Sequence, residues 1–378
     1  MPESLYTFTQ EITLNSPWLL PLFFALLGAC IGSFLNVVIY RMPRGMSINS
    51  PRRSFCPGCK AAIAWYHNIP LLSYLLLRGR SACCRTHISL RYWLVELACT
   101  LLFAGIAWHF CAEDIFTQLL LCLWGALMLA SLCIDWEQMV VLPRLTLPAT
   151  MAGLAVGLLS PWLLCEGLEP QEGLVSSLAG ALGGFLIFRL VGMLGKLMFG
   201  RRSCTYTCAT PWRLEQAPDG EDLHLTLGQE PPLRWSELFL EESHRLTLQQ
   251  AVENTHAPTT PAGDISFTPD AMHLPDGTRI PLEEADFLEG HCHGYTTRRE
   301  AMGSGDAWIA MAIGAACGWQ GVIFALVGGS FIGLAAAAAA RIRRGTPMPF
   351  GPALITAAFI WLFWGSRLWN LYLDWALG

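Results

Sequence analysis

Two aspartates stand where an ionisable group is expensive. Asp135 closes one long apolar run, and Asp306 opens another inside Gly303-Ser304-Gly305-Asp306. Charged side chains in or at membrane-length apolar segments are costly and mark candidate sites. Both aspartates fall at the same edge of the apolar layer on the orientation derived below, so helix packing would bring two carboxylates together. Two carboxylates sharing a site do not readily both ionise: one keeps its proton while the other acts as base. That is acid–base machinery for splitting a peptide bond with water. Gly303 and Gly305 would let backbone or substrate approach Asp306 closely. Taken singly, each aspartate is equally well an interfacial helix end, where charge costs little.

The cysteines form a second group. Of 14, Cys30, Cys99, Cys111, Cys122, Cys133 and Cys317 lie in or beside apolar runs, where they act as small hydrophobes. Cys56, Cys59, Cys83 and Cys84 share one polar loop instead, a pattern that suits a metal better than disulfides. A looser group, Cys204 and Cys208 with His291, Cys292 and His293, could converge on a second metal or be exposed loop residues.

The elements that must position these residues follow from composition. The 378 residues are 53% hydrophobic and only 14% charged, with a mean hydropathy of +0.42. Soluble domains carry about 25% charged residues, so an ordinary globular enzyme and a disordered chain are excluded. A net charge of −5 offers no field for nucleic acid. Eight stretches approach the length of about 20 apolar residues that a spanning helix needs: 17–40, 92–111, 115–134, 144–164, 173–199, 304–319, 320–340 and 350–372. The first has no preceding Lys or Arg and no small-residue cleavage site, so it reads as an anchor.

Charge orients them. Segment 41–91 holds Arg41, Arg44, Arg52, Arg53, Lys60, Arg78, Arg80, Arg85 and Arg91 without one acid, and Arg341, Arg343 and Arg344 crowd another loop. The intervening loops carry Glu113, Asp114, Glu166, Glu169 and Glu172 and no base. The positive-inside rule puts the basic loops in the cytoplasm and both termini outside. Residues 200–300 contain 17 Asp and Glu against 8 Lys and Arg and no spanning run. Leu223–Leu227 alternates like a strand, and Pro275-Asp276-Gly277 is a hairpin turn, so a small β-rich inserted domain is expected there. The expected fold is an all-α polytopic membrane protein of about eight transmembrane helices. It divides into the N-terminus with span one (1–40), the basic cytoplasmic loop (41–91), spans two to five (92–199), the acidic cytoplasmic insert (200–300) and spans six to eight (301–378).

Several ordered motifs accompany the aspartates. Gly32-Ser33-Phe34-Leu35-Asn36-Val37-Val38-Ile39-Tyr40-Arg41-Met42-Pro43 ends the first span, followed by Cys56-Pro57-Gly58-Cys59 and Trp65-Tyr66-His67-Asn68-Ile69-Pro70-Leu71-Leu72-Ser73-Tyr74-Leu75. Ile88-Ser89-Leu90-Arg91-Tyr92 with Glu96, then Leu142-Pro143, Leu145-Thr146-Leu147-Pro148 and Pro349-Phe350-Gly351-Pro352 complete the set. As a set, over about 30–199 and 300–360, the chain resembles the type IV prepilin peptidase family, GxGD-type membrane aspartic peptidases that are also N-methyltransferases.

The resemblance implies that Asp135 and Asp306 are the catalytic pair, cutting leaders from type IV prepilins or pseudopilins after a glycine at the cytoplasmic face of a bacterial inner membrane. It also implies methylation of the new N-terminus with S-adenosylmethionine, whose site no residue identifies, though the 41–91 loop is its neighbourhood. The family's zinc loop has two C-x-x-C pairs. Here Cys56 and Cys59 keep the first, while Ser81 replaces a cysteine of the second, leaving Cys83 and Cys84, with His87 as a substitute ligand. A bound structural zinc and a reduced loop packed without metal are both open. Arg144 stands where an acid is usual and Trp308 where a Lys is usual, so a catalytically altered paralogue serving as a scaffold in pilus or secretion assembly is the alternative. The insert could bind a partner of its own. A transporter with a proton relay is disfavoured, because both aspartates sit at one membrane face rather than near the midplane.

Overall fold

A computed structural model describes residues 16–50, 56, 58–59, 61–64, 66, 69–164, 168–199, 201–216, 222–228, 232–239, 245–253, 263–282, 287–298, 303, 305–340 and 348–377. Trp65, His67, Asn68, Ser304 and the basic residues of 341–347 lie outside that set, as do Arg52, Arg53, Lys60 and Glu166. The chain divides into two compact units, residues 1–189 with 304–378, and residues 190–303.

Among the described residues of the first unit, α1 (Leu19–Arg41) ends at a turn containing Pro43, and a short α2 (Leu72–Leu76) lies in the basic loop. Ser89 caps α3 (Leu90–His109), its hydroxyl accepting from the Arg91 N–H. Asp114 caps α4 (Ile115–Gln138) by accepting from the Phe116 and Thr117 N–H groups, which fixes where that helix begins. Pro143 sits in the first turn of α5 (Pro143–Leu159), where a missing N–H costs nothing, and α6 (Pro170–Phe199) follows. The short α7 (Trp235–Leu238) belongs to the second unit, and α8 (Asp306–Ala339) and α9 (Gly351–Leu377) return to the first.

Among the described residues, five helices are long and apolar enough to cross a membrane: α1 with its C-terminal turn, α3, α4, α6 and α8. They mark a multi-pass membrane protein. α5 and the apolar part of α9, Gly351–Gly365, are shorter apolar helices. The sixth and seventh expected spans fall together in α8, whose backbone leaves helical geometry at Gly318 (φ 67°, ψ −175°). Only glycine adopts that conformation without strain, so Gly318 breaks a run whose apolar character is continuous.

Apolar side chains from α1, α3 and α4, including Phe24, Ile39, Phe103, Ile106 and Leu121, form one buried cluster. α5, α6 and α8 instead meet backbone to backbone. A Cβ on Gly153 would lie 2.8 Å from the Ala316 nitrogen, and Gly180 and Gly314 leave each other no room for one. With lipid on all sides, close approach of small residues is a main source of helix association. Trp124 fastens α4 to α8 by donating from Nε1 to the Ala312 carbonyl at 2.9 Å.

The second unit holds an eight-stranded antiparallel sheet, the small β-rich region expected for the insert. Its strands are β1 (Arg201–Gln216), β2 (Leu223–Leu227), β3 (Leu233–Arg234), β4 (Leu246–Glu253), β5 (Gly263–Phe267), β6 (Ala271–His273), β7 (Arg279–Pro281) and β8 (Phe287–Arg298), in spatial order β3-β2-β1-β8-β4-β5-β6-β7. β2 covers the alternating run read from sequence, and β6–β7 is the hairpin around Pro275-Asp276-Gly277, with Gly277 at φ 89°. Trp212 and Phe267 meet edge to face at 5.8 Å in the core. The first and last strands pair along their length, Arg201 opposite Arg298, so the insert begins and ends at one place. A fold that closes its own ends in this way interrupts a host chain at little cost.

Candidate active site

Asp135 sits in the last turn of α4, which ends because Met139 takes a left-handed conformation (φ 54°) and returns its N–H to the Asp135 carbonyl at 2.9 Å. Asp306 is the first residue of α8. Helix packing draws both out of solvent: Asp135 is 4% and Asp306 7% exposed. The carboxylates are close enough for their charges to interact.

The start of α9 completes the setting. A Cβ on Gly351 would run into Asp135 Oδ2 and would lie 2.7 Å from Ile309 Cδ1, one turn along α8 on the Asp306 face. Gly351 is therefore the small residue that lets α9 close over Asp135 and the first turn of α8. Gly305 plays a similar part beside Asp306, since its Cβ would lie 2.6 Å from Val141 Cβ in the connection between α4 and α5. Gly303 is exposed. Asp135 Oδ2 and Thr146 Oγ1, on α4 and α5, are buried without a hydrogen-bond partner.

Sequence reasoning singled out both acids but not Gly351, the residue packed against Asp135, which stood only inside a quoted motif. It also missed Arg91, whose NH1 grips Glu137 through both carboxylate oxygens at 2.5 and 2.6 Å. That pair ties the end of the basic loop to the turn carrying Asp135. Trp308 does not point charge at the acids; its ring packs against Phe185 at 5.2 Å. Arg144 is exposed on the first turn of α5.

The four loop cysteines converge. The sulfurs of Cys56, Cys59, Cys83 and Cys84 all lie within 4.8 Å of one another. The Ser81 hydroxyl sits among them, 3.3 Å from Cys56 Sγ and 2.9 Å from Cys83 Sγ. The Ser81 hydroxyl draws the Cys56 thiol below its ordinary value, and the Thr86 hydroxyl brings Cys84 to about 5. Cys59 accepts from the Ala61 backbone, which favours the thiolate, yet its shared proton with Cys83 pushes it up to about 12. Four thiolates at this spacing suit tetrahedral zinc. His87 instead bridges Arg80 through the backbone, outside the group. In the insert, Cys292 is buried in the sheet core, and the described residues hold no second group of metal ligands.

If zinc fills the cysteine cluster, the purified protein should carry one zinc per chain by elemental analysis. Stripping it with a chelator should open the loop to trypsin at Arg78, Arg80 and Arg85, because structural zinc contributes folding energy directly. A metal-free preparation with the same protease resistance would exclude the site.

Residues 26–110 match the bacterial peptidase A24 N-terminal domain, and residues 286–338 match the type IV leader peptidase family. The prepilin leader peptidase/N-methyltransferase of Myxococcus xanthus is 38% identical over 186 residues, 49% of this chain and 52% of that protein. The chain thus spans about half the length of that relative. The protein of the same name from Klebsiella pneumoniae is 36% identical over 207 residues, covering 52% of this chain and 83% of that one. The one from Pseudomonas aeruginosa is 26% identical over 377 residues, 93% of this chain and 92% of its own length. No solved structure matches the chain.

Proposed function

The chain belongs to the type IV leader peptidase family, and from that premise we propose that it is a membrane aspartic endopeptidase. It removes the leader of type IV prepilins or pseudopilins after a glycine, at the cytoplasmic face of an inner membrane, and then N-methylates the new N-terminus. The observation that carries this is the burial of Asp135 and Asp306 at helix ends, where their charges act on one another, with Gly351 packed against Asp135.

The chemistry follows from the pair. One carboxylate takes a proton from a water as that water attacks the scissile carbonyl. The other gives a proton to the leaving amine, so each ends in the form the other began with. A coupled pair titrates as a unit, so the two roles belong to the dyad. The basic 41–91 loop lies on the side of the bilayer where the acids open, the side on which a leader must be presented. S-adenosylmethionine, when bound, supplies an electrophilic methyl group for the amine that cleavage frees.

Purified protein in detergent micelles, incubated with a prepilin, tests both steps by mass spectrometry of the product. The expected product has lost its leader at the bond after glycine and, with S-adenosylmethionine added, gains one methyl group on the new N-terminus. Binding without cleavage would favour the scaffold alternative and end the peptidase assignment.

A further inference from the structure

A cavity of about 400 Å³ lies between the C-terminal half of α1, the basic loop and the start of α3, away from both catalytic acids in sequence. That size suits a small molecule of cofactor class. Its walls pair aromatic surface with a single carboxylate. Tyr74 and Trp93 face it with ring centroids 6.4 Å apart and planes inclined by 32°, and Tyr92 stands beside them. Glu96 lines it too, with Oε2 accepting from the Leu71 N–H at 2.8 Å.

Two polar atoms in these walls are unspent. Asn36, 5% exposed, donates from Nδ2 to the Tyr92 carbonyl at 3.0 Å, leaving its buried Oδ1 without a partner. Trp93 Nε1 is likewise buried with no acceptor. A buried acceptor, a buried donor, stacking rings and a carboxylate together specify a ligand. It is a flat nitrogen heterocycle with an exocyclic amine, joined to a positively charged group. Rings stack on it, Asn36 accepts from the amine, Trp93 donates to a ring nitrogen, and Glu96 meets the cation. A lipid phosphate would meet the Glu96 carboxylate instead, while the Arg41 NH1 in the same wall already serves the Ser47 and Ile48 carbonyls.

We propose that this cavity is the binding site for S-adenosylmethionine, with Asn36 and Trp93 directed to its adenine and Glu96 to its cationic end. The proposal rests on the methyl-transfer reading above and gives that reading a location. It places the methyl donor on the α1–α3 face of the loop and leaves the acid pair free for cleavage.

The test is photo-crosslinking of radiolabelled S-adenosylmethionine to the purified full chain, followed by peptide mapping, with equilibrium binding measured in parallel. The label should fall on peptides within 69–96. Loss of a charge-assisted contact in Glu96→Gln, and loss of the acceptor in Asn36→Leu, should each weaken binding by about tenfold or more. Mapping needs no variant, so it stands even if a substitution unfolds the protein. Label outside the cavity walls, or both folded variants binding like the unaltered protein, overturns the site while the methyl-transfer reading survives. Unaltered protein that binds no S-adenosylmethionine and adds no methyl to cleaved prepilin overturns that reading and the site together.

Discussion

Asp135→Asn and Asp306→Asn are each expected to abolish leader cleavage, lowering its rate by at least about a thousandfold, while leaving the protein folded and inserted. Asn keeps the size of Asp but can neither accept a proton from the attacking water nor deliver one to the leaving amine. Acid–base catalysis by one positioned group is worth roughly 10²–10⁴-fold, and each group of a dyad also fixes the protonation of the other. The double substitution should therefore be little worse than either single one, because groups that act as a unit do not lose activity additively. Stability should move little or rise: both side chains are almost wholly withdrawn from solvent, and an amide removes the cost of holding a charge on a buried carboxylate. Rates come from quantified prepilin processing, and stability from thermal melting in detergent. Normal processing by Asp306→Asn would end the assignment. Loss of processing together with a collapsed melting transition would point to a structural role.

The same contrast explains what the sequence discloses and what it withholds. Asp135 and Asp306 are legible because an acid at the end of a long apolar run is costly wherever it stands, a rule that needs no knowledge of the fold. The cysteine loop and the Pro275-Asp276-Gly277 hairpin are legible because their chemistry is local. The division of the apolar stretch near residue 320 is legible too: the helical run Asp306–Ala339 breaks at Gly318, where the backbone leaves helical geometry, close to the expected boundary between two spans. The partners of the aspartates are not. Gly351 matters only because the start of α9 packs against Asp135 on α4, a contact between residues far apart in sequence that no local pattern announces. The Arg91–Glu137 grip escapes for the same reason, since the two residues are far apart in sequence and meet only through space.

Gly351→Ala should show how much of the activity depends on that crossing. A methyl group there would have to displace the Asp135 carboxylate, the Ile309 side chain or the first turn of α9. The Asp135 carboxylate oxygen is the atom nearest that methyl, ahead of Ile309 Cδ1, so Asp135 is the group displaced. A shift of about 1 Å in a catalytic group costs on the order of a hundredfold in rate, and that is the loss expected for cleavage. Overpacking should also cost about 1–3 kcal/mol of stability. Gly328→Ala on α8 supplies the comparison. Its Cβ would make only ordinary contacts, the nearest at 3.5 Å to the Phe324 ring, so neither rate nor melting temperature should change appreciably. The ratio of the two effects decides the role of Gly351. If activity falls far more than stability, the residue positions Asp135 against Asp306. If Gly351→Ala cleaves prepilin at the unaltered rate, α9 takes no part in setting the acid pair, and the geometry must rest on α4 and α8 alone.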